Sequence, residues 1–178
     1  MLYAYGFERI GVVVSDLYFV DPNPGKGQEG AERGVRLEVR KLRREDLKGS
    51  IYSAQPIAVD EPIWRVDLLE SVAGPTGSFD RTHHHPRFSG WEPSKRCFVE
   101  ELSADPIGWL GTRLSDLDGV LAEAGEDAGT ADGDASRVRQ AVPEILASVR
   151  RLLDQVRTAP LEGLPPVDES NGLRVGWL

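Results

Sequence analysis

All three histidines of this 178-residue chain lie in one tripeptide, His83-His84-His85. Histidine titrates near neutral pH, and its neutral ring is a common metal ligand. Charged residues flank the tripeptide, because Asp80 and Arg81 precede it and Arg87 follows it. These residue types can support metal coordination, acid–base catalysis or anion binding. The run is therefore the leading candidate for a functional site.

In a β-strand, alternate side chains point to opposite faces. An extended segment over 79–88 places His83 and His85 on one face and His84 on the other. Two imidazoles at this spacing can bind a divalent metal ion such as zinc if a third ligand lies beside them. Three other interpretations compete: structural histidines bonded to carboxylates and backbone, a metal-free acid–base or anion site, and a solvated loop.

The strand predicted before the histidines, residues 63–72, carries Arg65 and Asp67 on its polar side. If Ser71 pairs with Ser78, the first and third histidines face the apolar side of that strand. A register shift of one residue instead places them beside the arginine and the aspartate. The sequence leaves both registers open, so the metal hypothesis depends on which one the fold adopts.

The candidate site residues fall into three groups. The catalytic candidates are His84, Asp67, Arg65 and Arg81. The ligand-binding candidates are Arg65, Asp67, Asp80, Arg87 and Trp91. The metal-binding candidates are His83 and His85. We expect the arginines to offer planar donors to a protein or to a small anionic ligand.

The elements that must position these residues form two halves. Residues 1–103 are rich in β-branched and aromatic residues and in period-two alternation, which predicts strands. The predicted strands lie at 10–20, 34–43, 51–59, 63–72 and 79–88, with a short one at 96–101. The first of these segments is either one long bent strand or a strand pair. In 34–43, apolar and charged residues alternate, which predicts a strand with one solvated face. Cys97, in the last of these strands, is expected to be a buried thiol.

Residues 104–158 have the apolar spacing of helices. We expect one helix to begin near Pro106, because proline is favoured in the first turn. Asp134 or Ser136 is expected to cap a second helix. Pro143 should kink that helix or mark its true start.

Strands followed by helices predict an α+β fold. We expect an antiparallel sheet of five to six strands over residues ~4–101, with two C-terminal helices packed on one of its faces. The length suits one domain, so we assign 1–178 to a single domain. Its parts are the β-rich 1–103, the helical 104–158 and an extended tail at 159–178.

Composition restricts the partners. The net charge of −8 at pH 7 marks an acidic protein and argues against a large nucleic-acid surface. Residues 33–48 nevertheless form a local basic strand. The lack of a long apolar stretch and the single cysteine predict a cytoplasmic protein with no membrane partner. The apolar stripe over 136–157 is expected to pack in the core, with a homo-oligomer interface as the alternative.

The segment Arg65-Val66-Asp67, followed by Thr82-His83-His84-His85-Pro86, resembles small bacterial toxin–antitoxin proteins. Those proteins carry an Arg-x-Asp strand followed by a histidine-rich stretch. The resemblance covers a short part of the chain, and we infer no activity from it.

Two functional hypotheses follow from the residues themselves. The first is a non-catalytic binding or interaction domain that uses the His/Arg/Asp surface around residues 65–91. The second is a small hydrolase, metal-dependent or histidine-based, with the same cluster as its active site. Converging histidines in a concave site favour the enzyme, whereas an open, flat face favours the binding domain.

Overall fold

The computed structural model describes residues 1–127, 129–131 and 133–159. All but the first residue of the predicted tail at 159–178 lie outside the described residues. A five-stranded antiparallel sheet is followed by C-terminal helices, which confirms the predicted α+β fold.

The sheet is a meander in which each strand pairs with the next along the chain. Its strands are β1 (Leu2–Gly6), β2 (Ile10–Val20), β3 (Ala31–Arg44), β4 (Ile57–Ser71) and β5 (His83–His85). A separate two-stranded hairpin follows, made of β6 (Phe88–Ser89) and β7 (Glu92–Pro93).

Four of the predicted strands have different bounds. The segments 51–59 and 63–72 contribute to one strand, β4, which continues through Pro62 because the pairing with β3 shifts register around Arg40. The predicted strand at 79–88 shortens to β5, since Phe79 has a φ of 49° and lies in a turn. The predicted strand at 96–101 is reduced to a single bridge between Cys97 and His84.

The described helical part has four helices instead of two. They are α1 (Glu100–Ala104), α2 (Pro106–Ser115), α3 (Leu117–Ala124) and α4 (Asp134–Thr158). Pro106 begins α2 as predicted, with the Asp105 side chain accepting a hydrogen bond from the Gly108 N–H. None of the described helices is both long enough and apolar enough to cross a membrane.

The predicted cap of α4 is wrong. Gly133 occupies the position before the helix, and no side chain caps it. Asp134 is the first helical residue, and its carboxylate instead accepts hydrogen bonds from the backbone between β1 and β2. The helix continues through Pro143, so this proline does not mark its start.

The apolar core lies between one face of the sheet and the helices. The buried sheet residues are Val12, Val14, Val35, Leu37, Val39, Trp64, Val66 and Leu68. The helices contribute Leu110, Leu114, Leu117, Val120, Val138, Ile145, Val149 and Leu152. Because side chains alternate along strands, the opposite face carries polar residues. We call this the polar face; its members are Glu32, Arg36, Glu38, Arg65, Asp67, His83 and His85.

The prediction that 34–43 has a solvated face is wrong, because the polar face is covered. The ring of Phe88 lies 5.5 Å from the guanidinium carbon of Arg65, and that of Trp91 lies 4.9 Å from the guanidinium carbon of Arg40. The β6–β7 hairpin therefore lies over β3 and β4. Glu38 is only 9% exposed as a result.

The backbones of β3 and β4 approach closely at Gly34, where φ is 156°. A Cβ at this position would lie 2.0 Å from the Leu68 carbonyl oxygen, which belongs to the paired strand. We expect Gly34→Ala to lower the free energy of unfolding by about 2 to 3 kcal/mol. Urea denaturation followed by circular dichroism measures this change.

Gly129→Ala is the matched control, because none of the residues that the structure describes has an atom within 4 Å of a Cβ added there. We expect this control to change the free energy of unfolding by less than about 0.5 kcal/mol. Equal denaturation midpoints for the two variants would contradict the close approach at Gly34.

Candidate metal centre

The register between β4 and β5 brings the first and third histidines to the polar face. Asp67 pairs with His83, and Arg65 pairs with His85. The sequence left two registers open. The structure does not adopt the one with Ser71 opposite Ser78. It adopts the one shifted by one residue, which places both histidines on the same face as Asp67.

Hydrogen bonds in the connection from β4 to β5 hold this register. The Thr82 hydroxyl lies 3.1 Å from both the N–H and the carbonyl oxygen of Leu69. The Asp80 carboxylate accepts from the Ser71 N–H at 2.9 Å and also from the Ser78 hydroxyl. Asp80, a predicted ligand-binding residue, therefore organises the turn.

Three potential metal ligands converge at this point. The Asp67 Oδ2 atom lies 3.4 Å from His83 Nε2 and 3.7 Å from His85 Nε2. All three atoms lie within 4.8 Å of one another. Their side chains are nearly inaccessible to solvent, at 2% exposed for Asp67, 1% for His83 and 6% for His85.

Backbone carbonyls determine which ring nitrogen of each histidine carries the proton. The Nδ1 atom of His83 lies 2.7 Å from the Arg81 carbonyl oxygen, and that of His85 lies 2.6 Å from the Ser94 carbonyl oxygen. A carbonyl oxygen can only accept, so each Nδ1 donates, and Nε2 of a neutral ring carries the lone pair. When both rings are neutral, two lone pairs and a carboxylate oxygen therefore lie together, with the outer ring nitrogens supported as in metal-binding histidines.

Two arginines keep Asp67 ionised. Arg36 donates to both carboxylate oxygens, at 2.7 and 3.2 Å, and the Nε atom of Arg65 lies 3.3 Å from Oδ2. Burial alone would raise the pKa of Asp67, but the charge of Arg36, the contact with the His83 ring and the charge of Arg65 outweigh it and hold that pKa well below its usual range. The carboxylate is therefore charged and available as a ligand at neutral pH.

His85 is neutral under the same conditions. Burial, followed by the charge of Arg65, lowers the pKa of His85 to about 4. A neutral imidazole can bind a metal ion, whereas a group with this pKa is a poor general acid at pH 7.

His84, a predicted catalytic residue, lies on the opposite face from its two neighbours. Its ring lies 5.3 Å from the ring of Trp109 and 6.2 Å from that of Trp64, within the apolar layer. Burial lowers the pKa of His84. The structure therefore separates His84 from the converging ligands.

The remaining predicted site residues, Arg81, Arg87 and Trp91, are not among the three converging ligands. Arg81 donates to the Gly27 carbonyl in the loop after β2. Arg87 donates to the Glu123 carbonyl at the end of α3, at 2.8 Å. Trp91 is 59% exposed at the tip of the β6–β7 hairpin. The prediction that Cys97 is buried is wrong, because this residue is exposed.

Sequence reasoning missed Arg36 and Glu38, which belong to the same polar network. Glu38 pairs with Arg40 at 2.6 Å and lies 3.9 Å from Arg65. The alternation of apolar and charged residues in β3 already placed both residues on one face. Only the pairing of β3 with β4, which sets Arg36 opposite Asp67, brings that face to the candidate site.

Glu32, at the other end of the polar face, is a second buried carboxylate. Its Oε2 atom has no hydrogen-bond partner among the described residues, and Oε1 lies 3.5 Å from Arg96. Burial raises the pKa of Glu32 above its ordinary value of 4.5. Because the folded state then holds this proton more tightly than the unfolded chain, ionisation of Glu32 costs stability as pH rises through that raised pKa.

We therefore expect Glu32→Gln to raise the free energy of unfolding at pH 7 by on the order of 1 kcal/mol. This gain in stability should disappear below about pH 4, where Glu32 of the wild type is protonated in both the folded and the unfolded protein. Urea denaturation at the two pH values checks the prediction, with the exposed Glu144→Gln as control. A loss of stability at pH 7 would show that the contact with Arg96 outweighs the burial.

Comparison of this chain with protein-family models, with curated proteins and with solved structures finds no match.

Proposed function

We propose that this protein binds a divalent transition-metal ion through His83, His85 and Asp67. One observation carries this proposal: two imidazole nitrogens and an ionised carboxylate oxygen lie within 4.8 Å of one another in a buried site. Two nitrogen ligands and one oxygen ligand suit zinc or ferrous iron. Zinc is the ion to test first, because it needs no control of oxidation state.

Burial supports this function over an open interaction surface. The three ligand side chains are between 1% and 6% exposed, so a protein partner would meet the residues that cover them rather than these side chains. The low pKa of His85 supports metal binding over metal-free acid–base catalysis.

A small metal-dependent hydrolase is the catalytic form of the same proposal. The cluster offers three protein ligands, and zinc sites with three ligands leave a position for water or substrate, whereas structural sites are closed by four. A bound divalent ion lowers the pKa of a coordinated water and so supplies a nucleophile near neutral pH.

The test is the metal content of tag-free protein after treatment with a chelator, reloading with zinc and desalting. We expect one zinc ion per chain by elemental analysis, with the affinity measured by calorimetry. The variant His83→Asn/His85→Asn is expected to lose the ion. Asparagine can still donate to the carbonyls of Arg81 and Ser94, but it lacks a group in place of Nε2.

His84→Asn is the matched control, because the same substitution is made in the same strand on the opposite face. We expect this variant to keep the ion. Wild-type protein without zinc, or a double variant that binds zinc as well as the control does, would exclude the site. Circular dichroism of each variant separates loss of the ligands from loss of the fold.

A further inference from the structure

Two guanidinium groups lie directly beside the proposed metal ligands. Arg36 and Arg65 both pair with the Asp67 carboxylate, at 2.7 and 3.3 Å. A divalent ion would add two positive charges next to them in a site mostly shielded from water, where unbalanced charge is costly.

Arg65 has unused hydrogen-bonding capacity. Its Nε atom is buried and has no hydrogen-bond partner among the described residues. Its distances to carboxylate oxygens, 3.3 Å to Asp67 and 3.9 Å to Glu38, exceed the 2.7 Å between Arg36 and Asp67. A further anion would supply an acceptor for this nitrogen.

Both guanidinium groups border the proposed ion. The Nη2 atom of Arg36 lies 3.2 Å and the Nε atom of Arg65 lies 3.3 Å from Asp67 Oδ2, the same oxygen that faces the two histidines. A ligand of the ion would therefore lie within reach of arginine donors. The Arg36 side chain is 28% exposed, so this corner of the cluster is open to solvent.

We propose that the metal-loaded centre binds a phosphate-type dianion, held jointly by the ion and by Arg36 and Arg65. This inference rests on the proposed metal site. A dianion cancels the two positive charges that the ion adds, which a monoanion such as acetate does not. The planar forks of arginine match the oxygens of phosphate. The substrate class of a hydrolase at this site would then be phosphate esters.

The experiment titrates inorganic phosphate, phenyl phosphate and acetate into zinc-loaded, desalted protein by calorimetry. We expect both phosphates to bind at least about tenfold more tightly than acetate. Binding of phenyl phosphate identifies an ester site, and binding of inorganic phosphate alone identifies a free-phosphate site. The metal-free protein should bind phosphate at least about tenfold more weakly than the loaded protein.

Arg65→Gln separates this inference from the metal proposal. The variant should keep its zinc, because it loses a repulsive charge, yet it should bind phosphate at least about tenfold more weakly. Arg36→Gln is the second variant, and Arg151→Gln on the exposed side of α4 is the control. Zinc without phosphate binding would overturn this inference alone, whereas absence of zinc would overturn both. Equal phosphate binding in wild type and both site variants would also refute it.

Discussion

Replacing Asp67 with alanine is expected to lower the free energy of unfolding at pH 7 by about 3 to 5 kcal/mol. The carboxylate is 2% exposed, and it is shared by Arg36 and Arg65. Its removal leaves two guanidinium groups on a covered face with one carboxylate fewer. Removing one partner of a buried ion pair lowers stability by more than the pair contributes, because the remaining charge is left buried without a partner.

The pH dependence of this effect follows from the depressed pKa of Asp67. The stabilisation is present at any pH above the ordinary aspartate value of 3.8, and it is lost as pH falls towards the lower pKa of the folded state. The difference in the free energy of unfolding between wild type and Asp67→Ala should therefore be constant from about pH 7 to pH 5 and should become smaller in stronger acid. Urea denaturation across this pH range measures it.

Asp60→Ala is the control for this substitution. Asp60 pairs with Arg43, whose side chain is 64% exposed, and we expect a loss below about 1 kcal/mol. A loss of that size at Asp67 would mean that solvent screens the network despite its burial. Elemental analysis of the same Asp67→Ala sample should also show reduced zinc, which links the stability test to the proposed function.

The second large effect is expected at Asp134, at the start of α4. Its carboxylate is 0% exposed and accepts the backbone N–H groups of Glu8, Arg9 and Ile10 at 3.0, 2.7 and 3.0 Å. These bonds join the first turn of α4 to the connection between β1 and β2. Asp134→Ala leaves three backbone donors without this acceptor, and we expect a loss of about 3 to 4 kcal/mol.

Asp118→Ala is the matched control, since Asp118 also lies in the first turn of a helix but is exposed. We expect the control to lose less than about 1 kcal/mol, the usual contribution of an acidic residue at a helix start. Hydrogen exchange localises the effect, because the amides of Glu8, Arg9 and Ile10 should exchange faster in the Asp134 variant. Unchanged exchange at these amides would show that water replaces the carboxylate without cost.

Local signals in the sequence were enough to predict that strands precede helices and to predict some of their bounds. The β-branched run at 10–20 predicts either a strand pair or one long bent strand, and β2 is a single strand with these limits. Pro106 predicts the start of α2, because proline lacks the N–H that a first helical turn leaves unused. The separation of His84 from its two neighbours also follows from the sequence, since alternation along a strand is a property of the backbone itself.

Tertiary structure alone determined what the histidines face. The register of β5 on β4 depends on bonds from Thr82 and Asp80 to residues more than eight positions away, and one step of slippage would exchange the two faces. The pairing of β3 with β4 sets Arg36 opposite Asp67, and the β6–β7 hairpin covers the result. Alternation specifies which residues share a face of one strand. Contacts between residues distant in the sequence determine which strands pair and where the hairpin packs. Those contacts therefore determine whether a face of the strand meets water, a helix or other polar side chains.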